Sequence, residues 1–134
     1  MLSNNKNTVS LHIRRGDYLK QQHNHPVQSL EFYNKALELI GDYENLLIFS
    51  DDIDWCEKNL NYSNMTFVKG LTDIENIWLM SMCQHNIMAN SSFSWWGAWL
   101  NNNPNKIVVA PKLWFGNNLK LNTKDIIPKN WIKI

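Results

Sequence analysis

At 134 residues the chain has the length of one compact domain, since domains most often run to about 100–150 residues. It is 44% hydrophobic, contains seven Trp and carries a formal net charge of +1, which excludes a disordered tail and leaves no bulk electrostatic footprint for nucleic acid or an anionic lipid surface. Its two cysteines, Cys56 and Cys83, come without a CxxC pair or a Cys/His cluster, which argues against a disulfide scaffold and a structural zinc site.

The opening residues, MLSNNKNT, are polar and hold neither the apolar core of a signal peptide nor a membrane span, so a cytoplasmic setting is expected, with at most peripheral contact with the inner face of a membrane. Residues 8–13 are short, β-branched and apolar, as a strand requires. Leu30–Ile40 carries Leu30, Tyr33, Ala36, Leu37 and Ile40 at helical spacing, with Ser29 as N-cap and Gly41 as the stop. Residues 46–49 form a second apolar run, and Ser50-Asp51-Asp52 after it can cap a helix carrying Trp55, Cys56 and Leu60.

Residues 65–68 read as a third strand, and 73–83 as a helix through Ile74, Ile77, Trp78 and Met82. A fourth strand follows at 85–89, a helix at 92–100 and a fifth strand at 106–110. After Pro111 the pattern weakens into a loop-rich tail ending in Trp131 and Ile132. Strands alternating with helices predict an α/β fold: a Rossmann-like, mainly parallel sheet of about five strands with helices on both faces, in one domain over residues 1–134. In such sheets ligands bind beyond the carboxyl ends of the strands, which here are residues 14–17, 50–52, 69–71 and 90–94.

His12-Ile13-Arg14-Arg15-Gly16-Asp17-Tyr18 lies at the first of these ends. Guanidinium forks match phosphate oxygens bidentately, a Gly permits close approach, and Asp17 is placed to hold one arginine while leaving the other free. A bare Arg-Arg pair is more commonly a solvated ion pair at a turn. The tripeptide Arg15-Gly16-Asp17 also spells an integrin-binding motif, without the disulfide-held loop that motif needs. At the fourth strand end, Ala89-Asn90-Ser91-Ser92-Phe93-Ser94-Trp95-Trp96 puts small polar residues at a helix start, where unpaired N–H groups and the helix dipole suit an anion. A plain Ser N-cap reads equally well, and Trp95, Trp96 and Trp99 read as core packing. Asp51 and Asp52 fit capping before metal binding, because further oxygen or nitrogen ligands are missing nearby.

Together these segments resemble the α1,2-fucosyltransferases of glycosyltransferase family 11. The HxRRGDY motif, FSDD followed by Trp55, WLMSMCQHNIMANSSFSWWGAWL, KIVVAPKLWF and the terminal WIKI follow in the family's order from about Val9 onward. HxRRxD alone is shared with α1,6- and protein O-fucosyltransferases; with the ANSSFSWWGAWL block at this spacing the resemblance is specific.

The resemblance implies half of a GT-B-type fold and inverting transfer of L-fucose from GDP-fucose to the 2-hydroxyl of a galactoside in a glycan acceptor, without metal or other cofactor. It implies that Arg14 contacts the β-phosphate and stabilises the leaving group, with Arg15 and Asp17 supporting the loop. His12 would shape the guanosine side, Ser91, Ser92 and Phe93 would face the diphosphate, and Asp51 and Asp52 would brace the site. Asn76 stands sixteen residues before Ser92, where relatives usually carry an Asp that accepts guanine N1–H and N2–H.

The catalytic base has no assigned residue; His23 and His25 fall in a loop after the first strand, where exposed histidines are the ordinary reading. Family members have a further, acceptor-binding domain before the motif, and only residues 1–8 precede the matching stretch. The expectation is therefore a C-terminal half with apolar surface exposed on one side, leading to self-association unless that domain covers it. The alternative is a non-catalytic GDP-sugar-binding module lacking the acceptor half.

Overall fold

The computed structural model describes residues 7–116 and 126–134. Within them, six strands form one sheet: β1 (Thr8–Ile13), β2 (Asn45–Ser50), β3 (Met65–Phe67), β4 (His85–Ile87), β5 (Val108–Ala110) and β6 (Ile132–Lys133). Their order is β3-β2-β1-β4-β5-β6, with every neighbouring pair parallel. The helices are α1 (Leu30–Ile40), α2 (Ile53–Asn59), α3 (Asp73–Ser81) and α4 (Ser92–Trp99). The α/β Rossmann-like expectation holds, with six strands in place of five.

The extra strand, β6, lies in the tail that the sequence pattern presents as loop. Two exposed residues leave no periodicity to detect. β6 is held by backbone pairing instead, with Ile134 N donating to Ala110 O at 3.1 Å and Lys112 N to Ile134 O at 2.7 Å. Residues 117–125 of the same tail lie outside the described residues.

The chain steps outward from β1 to β2 and β3, then crosses back to β4 and on to β5. Right-handed crossovers therefore place α1 and α2 on one face of the sheet and α3 and α4 on the other. Strand alternation matches this. Val9, Leu11 and Ile13 join Leu46, Ile48, Ile87 and Val109 beneath Phe32, Tyr33, Ala36 and Ile40 of α1. Fully burying each large side chain in that layer contributes about 1.5–3 kcal/mol. The intervening residues of β1, Thr8, Ser10 and His12, are buried on the opposite face. There Asn86 Nδ2 donates to Ser10 Oγ at 2.7 Å and Asn101 Nδ2 to Asn86 Oδ1 at 2.8 Å. Such satisfied interior polar contacts fix one register of helix layer on sheet.

Local signals explain the helix starts. Ser29 accepts from Phe32 N at 3.2 Å to open α1, and Asp52 accepts from Trp55 N at 3.3 Å to open α2. Thr72 and Glu75 form a reciprocal capping box on α3, and the backbone and hydroxyl bonds from Thr72 hold the Glu75 carboxyl below its ordinary pKa.

The α3 stripe of Ile74, Trp78 and Met82 points outward, while Met80 is the buried residue of that helix. One apolar assignment is corrected: Trp96 and Trp99 of α4, expected in the core, are about half exposed. The sheet-facing side of α4 is filled by Ser94, Gly97 and Ala98, small residues that bring the helix close. A Cβ on Gly97 would come 2.7 Å from Met80 Cβ, so α3 and α4 pack against each other with no room for larger groups between them. Of the three tryptophans expected in the core only Trp95 packs inward, with its Nε1 donating to Ile126 O at 2.7 Å.

Candidate active site

Strand order reverses between β1 and β4, because β1 leads to β2 on one side and has β4 on the other. Connecting loops part at such a point and leave a crevice beyond the carboxyl ends of the strands. A cavity of about 410 Å³ lies at that edge. β1 and its following turn supply His12, Arg14 and Tyr18, the end of β2 supplies Phe49, Ser50 and Asp51, and Val68 follows β3. Asp73 and Asn76 come from the first turns of α3, and Ser91, Ser92 and Phe93 from the start of α4.

Arg14 is the cationic side chain of the lining, and it is held from two sides. Its Nη1 donates to Asp51 Oδ2 and its Nη2 to Asp17 Oδ1, each at 2.6 Å, while the guanidinium lies 4.8 Å from the centre of the Tyr18 ring. A guanidinium has five N–H donors, so these two bonds fix its plane without exhausting it. Asp51 also accepts from the backbone N of Arg15 at 2.8 Å. One carboxylate thus sets both the arginine fork and the turn that carries it.

Arg15 points away from the cavity. Its guanidinium lies 4.0 Å from the Trp55 ring centre, and its Nε donates to Asp52 Oδ2 at 3.3 Å. The expectation that Asp17 holds one arginine and frees the other is therefore corrected. Asp17 holds Arg14, the cavity residue, and Arg15 has partners of its own. Gly16 leaves room for the Asp51 carboxylate, where the sequence suggested room for a ligand. Asp51 and Asp52, adjacent in sequence, diverge: Asp51 serves the β1 turn and Asp52 both caps α2 and pairs with Arg15.

His12 is buried, with its ring 5.3 Å from that of Phe93 and its Nδ1 without a partner. Burial, reinforced by the Arg14 charge, pushes its pKa down to about 3, so the imidazole is neutral at physiological pH and lends the cavity no charge. The lining side chains of Arg14, Asp51 and Asp73 do not add up to a cationic pocket. The start of α4, where first-turn N–H groups lack intrahelical acceptors, therefore adds to the positive potential that Arg14 offers an anion. Ser91 caps that turn by accepting from Phe93 N at 3.2 Å.

A strand-end arginine facing a helix start across a topological switch point is an arrangement for a phosphorylated ligand. The family model for glycosyl transferase family 11 matches residues 1–134. The chain belongs to glycosyltransferase family 11. It is 41% identical over 145 aligned residues to the O-antigen biosynthesis glycosyltransferase WbnK of Escherichia coli, a match covering 100% of this chain and 47% of that protein. It is 40% identical to an alpha-1,2-colitosyltransferase of Escherichia coli over 139 residues, 96% of this chain and 48% of that one. Human galactoside alpha-(1,2)-fucosyltransferase 1 is 28% identical over 103 residues, 69% of this chain and 28% of the human protein. The chain thus spans about half the length of these two bacterial relatives. No solved structure matches it.

Among the residues singled out from the sequence, His12, Arg14, Asp51, Asn76, Ser91, Ser92 and Phe93 of this family 11 chain meet at the cavity. Arg15, Asp17 and Asp52 do not line it, and Asp17 reaches it only through Arg14. Sequence reasoning missed Asp73 and Phe49 as lining residues and gave Tyr18 no role. It also missed how Asn90 ties the rim together: its Nδ2 donates to Pro26 O at 2.9 Å and Trp114 O at 3.0 Å, and its backbone O accepts from Tyr18 Oη at 3.0 Å. The signal for Asp73 was its place three residues before Asn76, one helical turn along the same face.

The loop histidines separate. His23 is exposed, whereas His25 is half-buried and stacks on Tyr18 at 5.1 Å between ring centres. Among the described residues no group of three or more His, Cys, Asp or Glu is arranged to hold a metal ion, and no helix is long and apolar enough to cross a membrane.

Proposed function

We propose that this chain carries the donor site for inverting transfer of L-fucose from GDP-fucose to the 2-hydroxyl of a galactoside within a glycan. The observation that carries the reading is Arg14, held by Asp17 and Asp51 and facing the Ser91–Ser92–Phe93 helix start across the cavity. The diphosphate lies between them, and guanosine reaches toward His12, Asp73 and Asn76. The acceptor oxygen forms its bond to C1 of fucose as the C1–O bond to phosphate breaks. The electron pair of the broken bond passes to the β-phosphate, and the acceptor proton goes to a base not assigned among these residues.

Negative charge then grows on the β-phosphate. Preorganised N–H donors aimed at such charge lower the barrier, typically by about 2.7–4 kcal/mol per important donor. Arg14 and the first turn of α4 fill that role, so transfer needs no metal ion in this reading. The engagement of Asp51 with Arg14 and Arg15 supports this, since those N–H groups occupy oxygens that would otherwise be free for a cation. A cytoplasmic setting, at most peripheral to a membrane, belongs to the same reading; the buried, unpaired thiols of Cys56 and Cys83 support it.

The name of the 40% identical relative favours a second reading of the donor sugar alone, with colitosyl in place of fucosyl. The deciding experiment incubates the chain with GDP-fucose or GDP-colitose and lactose, with and without EDTA, and identifies the linkage of the product by NMR. An α1,2-fucosylated galactoside formed equally well with EDTA is the expected result. Product from GDP-colitose alone moves the assignment to the second reading. Failure of the chain to bind GDP by titration calorimetry overturns the donor site itself.

A further inference from the structure

The outer surface of the α3–α4 layer carries Ile74, Trp78, Met82, Trp96, Trp99 and Leu100, with between 48% (Trp96) and 79% (Ile74) of each residue exposed. A monomeric surface rarely leaves so many large apolar groups together. In α3 the stripe repeats every four residues opposite the buried Met80, and in α4 Trp96 stands opposite buried Ser94 and Ala98, with Trp99 beside it stacked on Trp95 at 5.2 Å between ring centres. Because α3 and α4 pack directly together over one face of the sheet, the two outward sides make one continuous surface.

We propose that this surface is the contact between two copies of the chain, related by a two-fold axis that sets α3 and α4 of one copy against α3 and α4 of the other. Area supports it. About half the surface of six large apolar side chains comes to roughly 600–800 Å², close to the ~800 Å² per partner of a standard protein–protein interface.

Chemistry supports it as well. The indole N–H of Trp78 donates to Met82 Sδ at 2.9 Å within its own helix, so that side chain brings no unsatisfied donor into a dry contact. α4 has no charged residue, and the charged residues of α3, Asp73 and Glu75, lie in its first turn. An antiparallel two-fold pairing keeps those acidic ends apart. Neither helix carries Lys or Arg, the residues that an anionic bilayer would recognise. Asp73 and Asn76 face the cavity from the other side of α3, so the dimer leaves the nucleotide site open.

The test is sedimentation equilibrium of the whole chain from about 1 to 200 μM, the weak end of the affinities that interfaces of this size span. A reversible monomer–dimer equilibrium is expected, abolished by Trp78→Glu and weakened at least tenfold by Trp78→Ala, with unchanged GDP affinity. Trp78→Ala keeps the test decisive if the charged variant folds poorly. A chain that is monomeric throughout overturns the proposal. So does a dimer indifferent to Trp78→Ala and Trp96→Ala, or a monomer that binds phosphatidylcholine or phosphatidylglycerol vesicles through this face.

Discussion

Asp51 fills the space that a side chain on residue 16 would need: a Cβ built on Gly16 comes 2.2 Å from Asp51 Oδ2. The same oxygen accepts from Arg14, and the other accepts from the backbone of Arg15. Three neighbours of the β1 turn are thus organised by one carboxylate arriving from β2, and the glycine is the condition for its arrival.

Gly16→Ala should therefore loosen the site through Asp51. Forcing the carboxylate aside is an overpacking change, which typically costs about 1–3 kcal/mol. GDP affinity should fall about tenfold or more as Arg14 loses one of its two anchors. Asp51→Ser added to Gly16→Ala should restore thermal stability by relieving the clash, without restoring affinity, and the double-mutant cycle measures that coupling. Unchanged melting and unchanged GDP binding in the Gly16→Ala variant would contradict this account.

The two arginines should separate in kinetics. In the proposed donor site Arg14→Ala removes the cation set against the diphosphate and leaves Asp17 and Asp51 without their guanidinium partner, so kcat/KM for GDP-fucose should drop about 100- to 1,000-fold. Arg15→Lys keeps the charge but gives up the planar stack on Trp55 and the Nε bond to Asp52. Stability should fall by about 1–2 kcal/mol, as expected for a cation–π contact that is largely shielded from water. Its kcat/KM should stay near that of the parent. Steady-state kinetics and thermal melts on both variants check the assignment, and a larger kinetic loss at Arg15 would reverse it.

His12 makes stability depend on pH. Its folded pKa is near 3 and its unfolded pKa about 6.5, so the unfolded chain takes up a proton that the folded chain refuses. Stability from this group is fully present above pH 6.5 and declines as pH falls toward 3. Between pH 7 and 5 the loss should be about 1–2 kcal/mol by linkage. His85, also lowered by burial, adds in the same direction. Urea unfolding at pH 7, 6 and 5 should show a shallower decline in His12→Gln than in the parent. Identical slopes would mean that His12 is not held neutral.

The parts of this architecture visible in the sequence are those where one residue type has one use. The short, β-branched, apolar character of residues 8–13 marked β1, Ser29 and Gly41 bounded α1, and the HxRRGDY and NSSF segments pointed to the cavity. What stayed hidden depends on tertiary partners. Nothing local tells that Asp51 rather than Asp52 meets Arg14, because the distinction lies in which way successive residues point at the end of β2. The apolar spacing of α3 was legible, but its direction was not. Its inward side is taken by Met80 packed on Gly97 and by cavity residues Asp73 and Asn76, so the stripe had to turn outward.

Asn76 and Asp73 supply the sharpest test of how the base is read. Both line the cavity from one side of α3, a turn apart, and in the proposed donor complex the α4 start takes the diphosphate while they take the base. An Asn carbonyl accepts one neutral hydrogen bond from guanine, whereas a carboxylate accepts from both N1–H and the 2-amino group. Bonds to a charged group contribute about 1.5–3 kcal/mol against roughly 1 kcal/mol for neutral ones. Asn76→Asp should therefore tighten GDP binding several-fold and sharpen preference for GDP over IDP, which lacks the 2-amino group. Asp73 complicates the change, because a second carboxylate one turn away repels the first. The gain should accordingly be larger in Asp73→Asn/Asn76→Asp than in Asn76→Asp alone. If instead Asp73 already accepts from the base, Asp73→Asn by itself should weaken GDP binding and erase the GDP/IDP preference of the parent. Titration calorimetry of both nucleotides against the parent and these three variants separates the outcomes. Equal GDP affinity and equal preference in all four would remove this side of α3 from base recognition.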